Sequence, residues 1–264
     1  MIMKQDPFLV SLRESWAILF LAFCVMGLSA CATSGQVSVD DEVVVPPDTA
    51  AVDHHDPLEK FNRAMYKFND FVDENALKPV AKGYKAVTPN VVRKGVGNFF
   101  SNLMEPIVII NDLLQFKFEQ MASDTARFLF NTTVGIGGLI DVATPMDLRK
   151  HDEDFGQTFG KWGVGPGPYL VLPFLGPRNL RDAVGWGADQ KVNPINYIEP
   201  PRAKWTAWSL YVVDTRTQLL GTKDILEQAA GEDPYIFVRE AYRQKRQSLV
   251  YDGNPPIDDE LLFE

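Results

Sequence analysis

The sequence predicts an all-α domain of many short helices, and three observations lead there. Helix-start patterns recur, most with a proline in the first turn: Asp56-Pro57, Thr88-Pro89, Glu105-Pro106 and Asp233-Pro234. Apolar residues after them repeat at helical spacing. No convincing run of alternating strand residues and no internal repeat interrupts the series. The organising stretch runs from Phe128 to Asp182 and mixes apolar bulk with glycine, from Val134-Gly135-Ile136-Gly137-Gly138 to Gly163-Val164-Gly165-Pro166-Gly167. Apolar residues leave water, whereas glycines weaken ordinary helices and strands. Asp141 and the glycines stop the first part reading as a membrane span, which needs about 20 nearly unbroken apolar residues. The segment therefore reads as buried, tightly turned and irregular, either lining a pore or groove or forming a Gly-rich turn in a soluble core.

The chain has 264 residues and a net charge of −9. Phosphate affinity comes from Lys and Arg, so no nucleic-acid partner is expected. Residues 1–30 read as an export signal: Lys4 and Arg13 supply positive charge, and the apolar run Trp16–Leu28 is short for a span. Leu28-Ser29-Ala30-Cys31 resembles the lipobox of bacterial lipoproteins, in which the cysteine becomes the acylated N-terminus. By that resemblance Cys31 carries the lipid, the protein's only prosthetic group, and Ala32 after it directs sorting to the outer membrane. Several acyl chains give stable anchoring. Residues 31–55 read as a flexible tether, with Asp40-Asp41-Glu42 and Pro46-Pro47.

The folded domain is expected over 56–250. Asp56-Pro57-Leu58-Glu59 has a capping Asp, a first-turn Pro and a third-position Glu. Leu58, Phe61, Met65, Phe68 and Val72 follow at helical spacing. Asn62 and Asn69 fall near that stripe, as packing amides or as polar groups lining a wet cavity. Glu105-Pro106 starts the segment 107–116, apolar on nearly all sides and too short to span a bilayer. Ser123–Phe130 is amphipathic. Tyr169–Phe174 is extended or irregular because Pro173 would break a central strand or a helix. Arg178–Asp182 opens another helix, and Trp205 to Leu220 forms the next. The helix after Asp233-Pro234 ends in a basic run, Arg239, Arg243, Lys245 and Arg246, either a solvated face or a docking patch. Residues 251–264 read as a mobile acidic tail.

Catalytic and metal chemistry find no support. None of the serines beyond the signal segment sits in Gly-x-Ser-x-Gly. Three histidines, two of them in the tether, leave little for a metal site or a general base. No phosphate-binding Gly-x-x-x-x-Gly-Lys-Ser/Thr occurs. Asp152-Glu153-Asp154 reads as a helix start. No catalytic residue, metal site or enzyme activity is predicted.

Four blocks resemble the MlaA (VacJ) family of outer-membrane phospholipid-transport lipoproteins. They are Asp56-Pro57-Leu58-Glu59-x-Phe61-Asn62-Arg63 with Met65-Tyr66-x-Phe68-Asn69; Arg127-Phe128-x-Phe130-Asn131-Thr132 with Gly135-x-Gly137-Gly138-x-Ile140-Asp141-Val142-Ala143; Gly163-Val164-Gly165-x-Gly167-Pro168-Tyr169; and Asp233-Pro234-Tyr235-Ile236-x-Val238-Arg239-Glu240-Ala241-Tyr242. The resemblance implies a ring of largely in-plane helices in the outer membrane, facing the periplasm. An amphipathic channel would return mislocalised outer-leaflet phospholipid to a periplasmic carrier of the MlaC type, beside a trimeric porin. A Gly-rich hairpin near 133–145 would border that channel. Asn62, Phe68, Asn69, Asn131, Gly135, Gly137, Gly138 and Asp141 are the channel and hairpin candidates, and Arg239, Arg243, Lys245 and Arg246 the carrier-docking candidates. The alternatives are a structural or assembly lipoprotein associated with porins and an outer-membrane phospholipase.

Overall fold

A computed structural model describes residues 56–222, 225, 230–231 and 233–256. Cys31, the signal segment, the tether and most of the acidic tail lie outside the described residues. The described residues are mainly helical, with one small hairpin: α1 Glu59–Val72, α2 Lys78–Val87, α3 Asn90–Leu114, α4 Phe118–Thr133, α5 Phe155–Lys161, β1 Tyr169–Leu172, β2 Gly176–Asn179, α6 Leu180–Val192, α7 Pro201–Gln218 and α8 Pro234–Val250. None of these helices is long and apolar enough to cross a membrane.

The expected helix start at Asp56 is displaced. Its carboxylate accepts from Leu58 N at 3.0 Å, but α1 begins at Glu59. The same carboxylate is drawn inward, accepting from Asn62 Nδ2 and the Tyr235 hydroxyl. Asp233 behaves as read: its Oδ1 accepts from Tyr235 N and Ile236 N at the head of α8. Asp154 caps α5 by accepting from Gln157 N at 2.8 Å.

Two sequence readings need correction. Pro106 does not start a helix; it lies inside the 25-residue α3. An interior proline removes one backbone hydrogen bond and costs about 3 kcal/mol or more. Packing along α4 and against α7 offsets that cost. Second, 169–174 is not merely extended. Tyr169 pairs with Asn179 and Leu172 with Gly176 in an antiparallel hairpin. Proline argued against strands there, but two asparagines of α1 supply partners for the backbone that a wider sheet would otherwise satisfy. Asn62 accepts from Val171 N at 2.8 Å and donates to Tyr169 O at 3.0 Å. Asn69 accepts from Phe174 N at 2.7 Å and donates to Leu172 O at 2.9 Å. Spacing of seven puts both amides on one face of α1, opposite the strand.

Between α1 and α2, Asp73–Leu77 forms a π-turn that sequence reading missed. Arg216 of α7 holds it with Nε 2.5 Å and Nη2 2.8 Å from the two Asp73 oxygens. The start of the acidic tail is also held. Asp252 accepts from Lys117 and Lys161, and Gly253 N donates to Ser248 O at 2.8 Å. The mobile tail expected from 251 therefore does not begin there.

Candidate functional site

The interior is more polar than a water-soluble domain requires. Among the described residues nineteen polar or charged side chains are buried against eleven apolar ones. Meanwhile Phe71, Val87, Phe116, Val134, Ile136, Phe174 and Trp205 are all more than 60% exposed. Scattered exposed leucines are ordinary, but so much exposed aromatic and branched surface over so polar an interior is not. The arrangement suits apolar surroundings outside and hydrated or charged groups inside.

The main polar seam runs between α3, α4 and the Gly-rich turn. Spacing of three to four residues places Asn98, Ser101, Asn102 and Glu105 along one face of α3. Arg127 and Asn131, one turn apart on α4, face them. Arg127 Nη1 donates to Thr144 Oγ1 at 3.0 Å and to Leu148 O at 2.7 Å, and its Nη2 donates to Asp141 at 2.8 Å. Asn131 donates to Asp141 at 3.2 Å and accepts from Val142 N and Ala143 N at 2.8 and 3.0 Å. Asp141 also accepts from Thr144 N and Oγ1. Although burial alone would raise its pKa, the hydrogen bonds from Thr144 and Arg127 win and hold this carboxyl at about 2. Asn131, Arg127 and Asp141 thus fix the end of the Gly-rich segment.

That segment is a succession of turns with no strand pairing. Gly137 and Gly138 have φ of +68° and +89°, the left-handed region that glycine enters without penalty. Ile136, at φ +56°, shares that region despite its branched side chain. A Cβ on Gly138 would come within 2.6 Å of Asn102 Cβ, and one on Gly135 within 2.1 Å of Ile140 O. Around Gly137 there is open space.

Glu105 is 2% exposed, and burial pushes its carboxyl up to about 7, with Lys150 and Arg127 pulling down and Asp124 and Asp152 pushing further up. Folding therefore takes up a proton at this site between about 4.5 and 7. Its contribution to stability is greatest below the unfolded value and falls as pH rises to 7. Glu105→Gln removes that loss. We expect equal melting temperatures for variant and wild type near pH 4 and a variant several degrees more stable near pH 8. Thermal unfolding in detergent checks this; a difference independent of pH would contradict it.

A second polar set continues toward α5. Gln115 donates to Glu153 at 2.8 Å and Thr158 at 3.1 Å, and Thr158 donates to Asn111 at 2.7 Å. His151 meets Asp124 at 2.9 Å. Sequence reading missed Glu105, Asp112 and Asp124 as buried acids. Only their place on inward helix faces marks them: Glu105 sits in an apolar run, Asp112 stands beside Asn111 at the end of one, and Asp124 stands among polar neighbours that give no sign of burial.

Comparison with known proteins decides the family. The family described as MlaA lipoprotein matches residues 54–249. The chain belongs to the MlaA lipoprotein family. The intermembrane phospholipid transport system lipoprotein MlaA of Escherichia coli K12 is 41% identical over 202 residues, covering 75% of this chain and 79% of that protein. Its Haemophilus influenzae namesake is 35% identical over 247 residues, covering 90% and 95%. A solved structure reported as "Structural basis for maintenance of bacterial outer membrane lipid asymmetry" is 38% identical with a TM-score of 0.65, covering 74% of this chain and 99% of that one. This chain shares the helical fold of that structure.

Within this MlaA-family fold the predicted site residues separate into groups. Asn131, Gly135, Gly138 and Asp141 meet at the Gly-rich turn, with Gly137 at its open edge. Asn62 and Asn69 lie elsewhere. Asn62 is fully buried and hydrogen-bonded to the hairpin backbone, so it packs α1 and lines no wet space. Phe68 joins Asn69 beside the hairpin tip, its ring edge-on to Phe174 at 5.2 Å. The basic patch on α8 also needs correction. Arg246 is engaged inward, donating to Asp154 at 2.7 and 2.9 Å and to Asp182 at 2.7 Å. Arg239 is buried, paired with Glu240 at 2.7 Å and 3.9 Å from Asp56. Both are engaged inside the fold, where nearby carboxylates compensate part of their desolvation. Arg243 remains half-buried and Lys245 exposed.

Proposed function

We propose that this MlaA-family lipoprotein moves phospholipid and thereby maintains the lipid asymmetry of the outer membrane. It is anchored there through an acylated Cys31 and faces the periplasm. Mislocalised phospholipid leaves the outer leaflet along the protein and passes to a periplasmic carrier of the MlaC type, in company with a trimeric porin. The observation that carries this reading is the inverted distribution of polarity, a polar seam under an apolar exterior. A phospholipid needs both: apolar contact for its tails and hydrogen-bonding groups for its headgroup. The relatives' names, an intermembrane phospholipid transport system, point the same way. No bond is made or broken in such transfer, so no catalytic group is required. Arg243 and Lys245 are the cations of α8 left to meet the carrier.

The test uses purified full-length lipoprotein in vesicles containing labelled phospholipid, with a soluble lipid acceptor outside. Protein-dependent arrival of intact phospholipid on the acceptor is expected. Release of lysophospholipid or free fatty acid instead would replace transport with hydrolysis.

A further inference from the structure

We infer that the small polar well beneath the Gly-rich turn binds the primary ammonium of an aminophospholipid headgroup, an inference that rests on the phospholipid reading above. The well is a cavity of about 30 Å³ between α3, α4 and the turn. Its lining includes Asn102 and Glu105, 7% and 2% exposed, and one oxygen of each, Asn102 Oδ1 and Glu105 Oε1, has no hydrogen-bond partner. Buried acceptors normally find a donor, and each that does not calls for an explanation. The other polar groups here are already engaged. Asn102 Nδ2 donates to Thr132 Oγ1 at 2.9 Å. Asn131 and Asp141 are occupied with each other and the turn backbone. Arg127 Nε lies 3.5 Å from Glu105 Oε1, close enough for charge attraction, yet Oε1 still has no hydrogen bond.

Two acceptors without a hydrogen-bond donor, one of them a carboxyl oxygen, ask for a compact donor. Arg127 is shared between Glu105 and Asp141, so this trio carries an excess negative charge when both acids are ionised. Lys150 approaches the rim, donating to Ser101 Oγ at 2.8 Å, and lies 3.8 Å from Asp152. The volume holds about one water-sized group. A primary ammonium fits and has three N–H donors. A trimethylammonium has none and is too large, and a glycerol headgroup carries no cation. Exposed apolar residues are sequence neighbours of three lining residues: Phe99 of Asn98, Ile140 of Asp141 and Phe130 of Asn131.

The experiment equilibrates full-length protein with vesicles of equal phosphatidylethanolamine, phosphatidylglycerol and phosphatidylcholine, then quantifies the bound lipid by mass spectrometry. Wild type is expected to enrich phosphatidylethanolamine about tenfold, the factor that one hydrogen bond to a charged group supplies. Glu105→Gln should bring enrichment near parity with total bound lipid unchanged. Ser101→Leu, which narrows the rim while keeping the Glu105 carboxyl, should do the same. Normal total lipid with no enrichment in wild type, or enrichment that survives Glu105→Gln, would overturn the inference and leave the well to a water molecule. No bound phospholipid of any kind would overturn the transport reading, and this inference with it.

Discussion

Gly135→Ala is expected to abolish lipid transfer and destabilise the α4–turn unit by about 3 kcal/mol or more, the upper end of what overpacking costs. The added methyl would sit 2.1 Å from Ile140 O, 2.5 Å from Asn131 O and 3.0 Å from Asn131 Cα. All three are backbone atoms, so no side chain can swing away. The local hydrogen bonds have no slack either. Ile140 N donates to Gly135 O at 2.9 Å, and Gly138 N donates to Asn131 O at 2.8 Å. Relief therefore requires the whole turn to open, which pulls Asp141 from Arg127 and Asn131. The contrast is Gly137→Ala. There the new methyl meets open space and the cost is that of a left-handed φ alone, about 1 kcal/mol. Thermal unfolding and vesicle transfer measured together check the pair. Equal, small effects at both positions would show that the turn is not closed as described.

Asn62→Leu keeps the heavy-atom count and branching but is bulkier, and it is expected to cost roughly 3–5 kcal/mol, as a buried polar cluster losing its centre. Asn62 is fully buried and bridges three partners: Asp56, Tyr169 O and Val171 N. Leucine leaves the two strand groups without partners inside the molecule. The Asp56 carboxylate, also bonded to the Tyr235 hydroxyl, loses one of its donors. The damage should spread to the hairpin and the head of α8, because Tyr169, Val171 and Tyr235 share one apolar cluster. Asn69→Leu removes two similar bonds at a less buried place and should cost less. Hydrogen exchange at Val171 N reads the difference directly. Retained protection in Asn62→Leu would show that the strand pairing does not depend on α1.

Much of this fold could be read from the sequence because the signals are local. Asp233-Pro234 and the apolar spacing of α1 report what neighbouring residues do to one another. So do the glycines at 137 and 138, whose positive φ agrees with the reading of a turned, irregular segment. What escaped depends on distant partners. Pro106 reads as a boundary until the whole of α3 is seen packed against α4 and α7. Pro173 argues against strands until Asn62 and Asn69 supply backbone partners from more than 100 residues away in sequence. Arg239 and Arg246 read as a basic surface because a run of charges does not say which face of the helix carries each one. Only the approach of Asp56, Asp154 and Asp182 turns them inward. The family resemblance located the turn and its glycines, but not Glu105, whose neighbours Pro106, Ile107 and Val108 conceal a buried acid in an apolar run.

The central claim is that the protein clears phospholipid from the outer leaflet. The most direct measurement is the amount of phospholipid exposed on the cell surface in a strain lacking this protein, beside wild type and a strain carrying the restored chain. The account predicts a rise on deletion, reversed by the wild-type chain and not by Gly135→Ala, with porin levels unchanged. No rise, or a rise that simply follows falling porin, would contradict it.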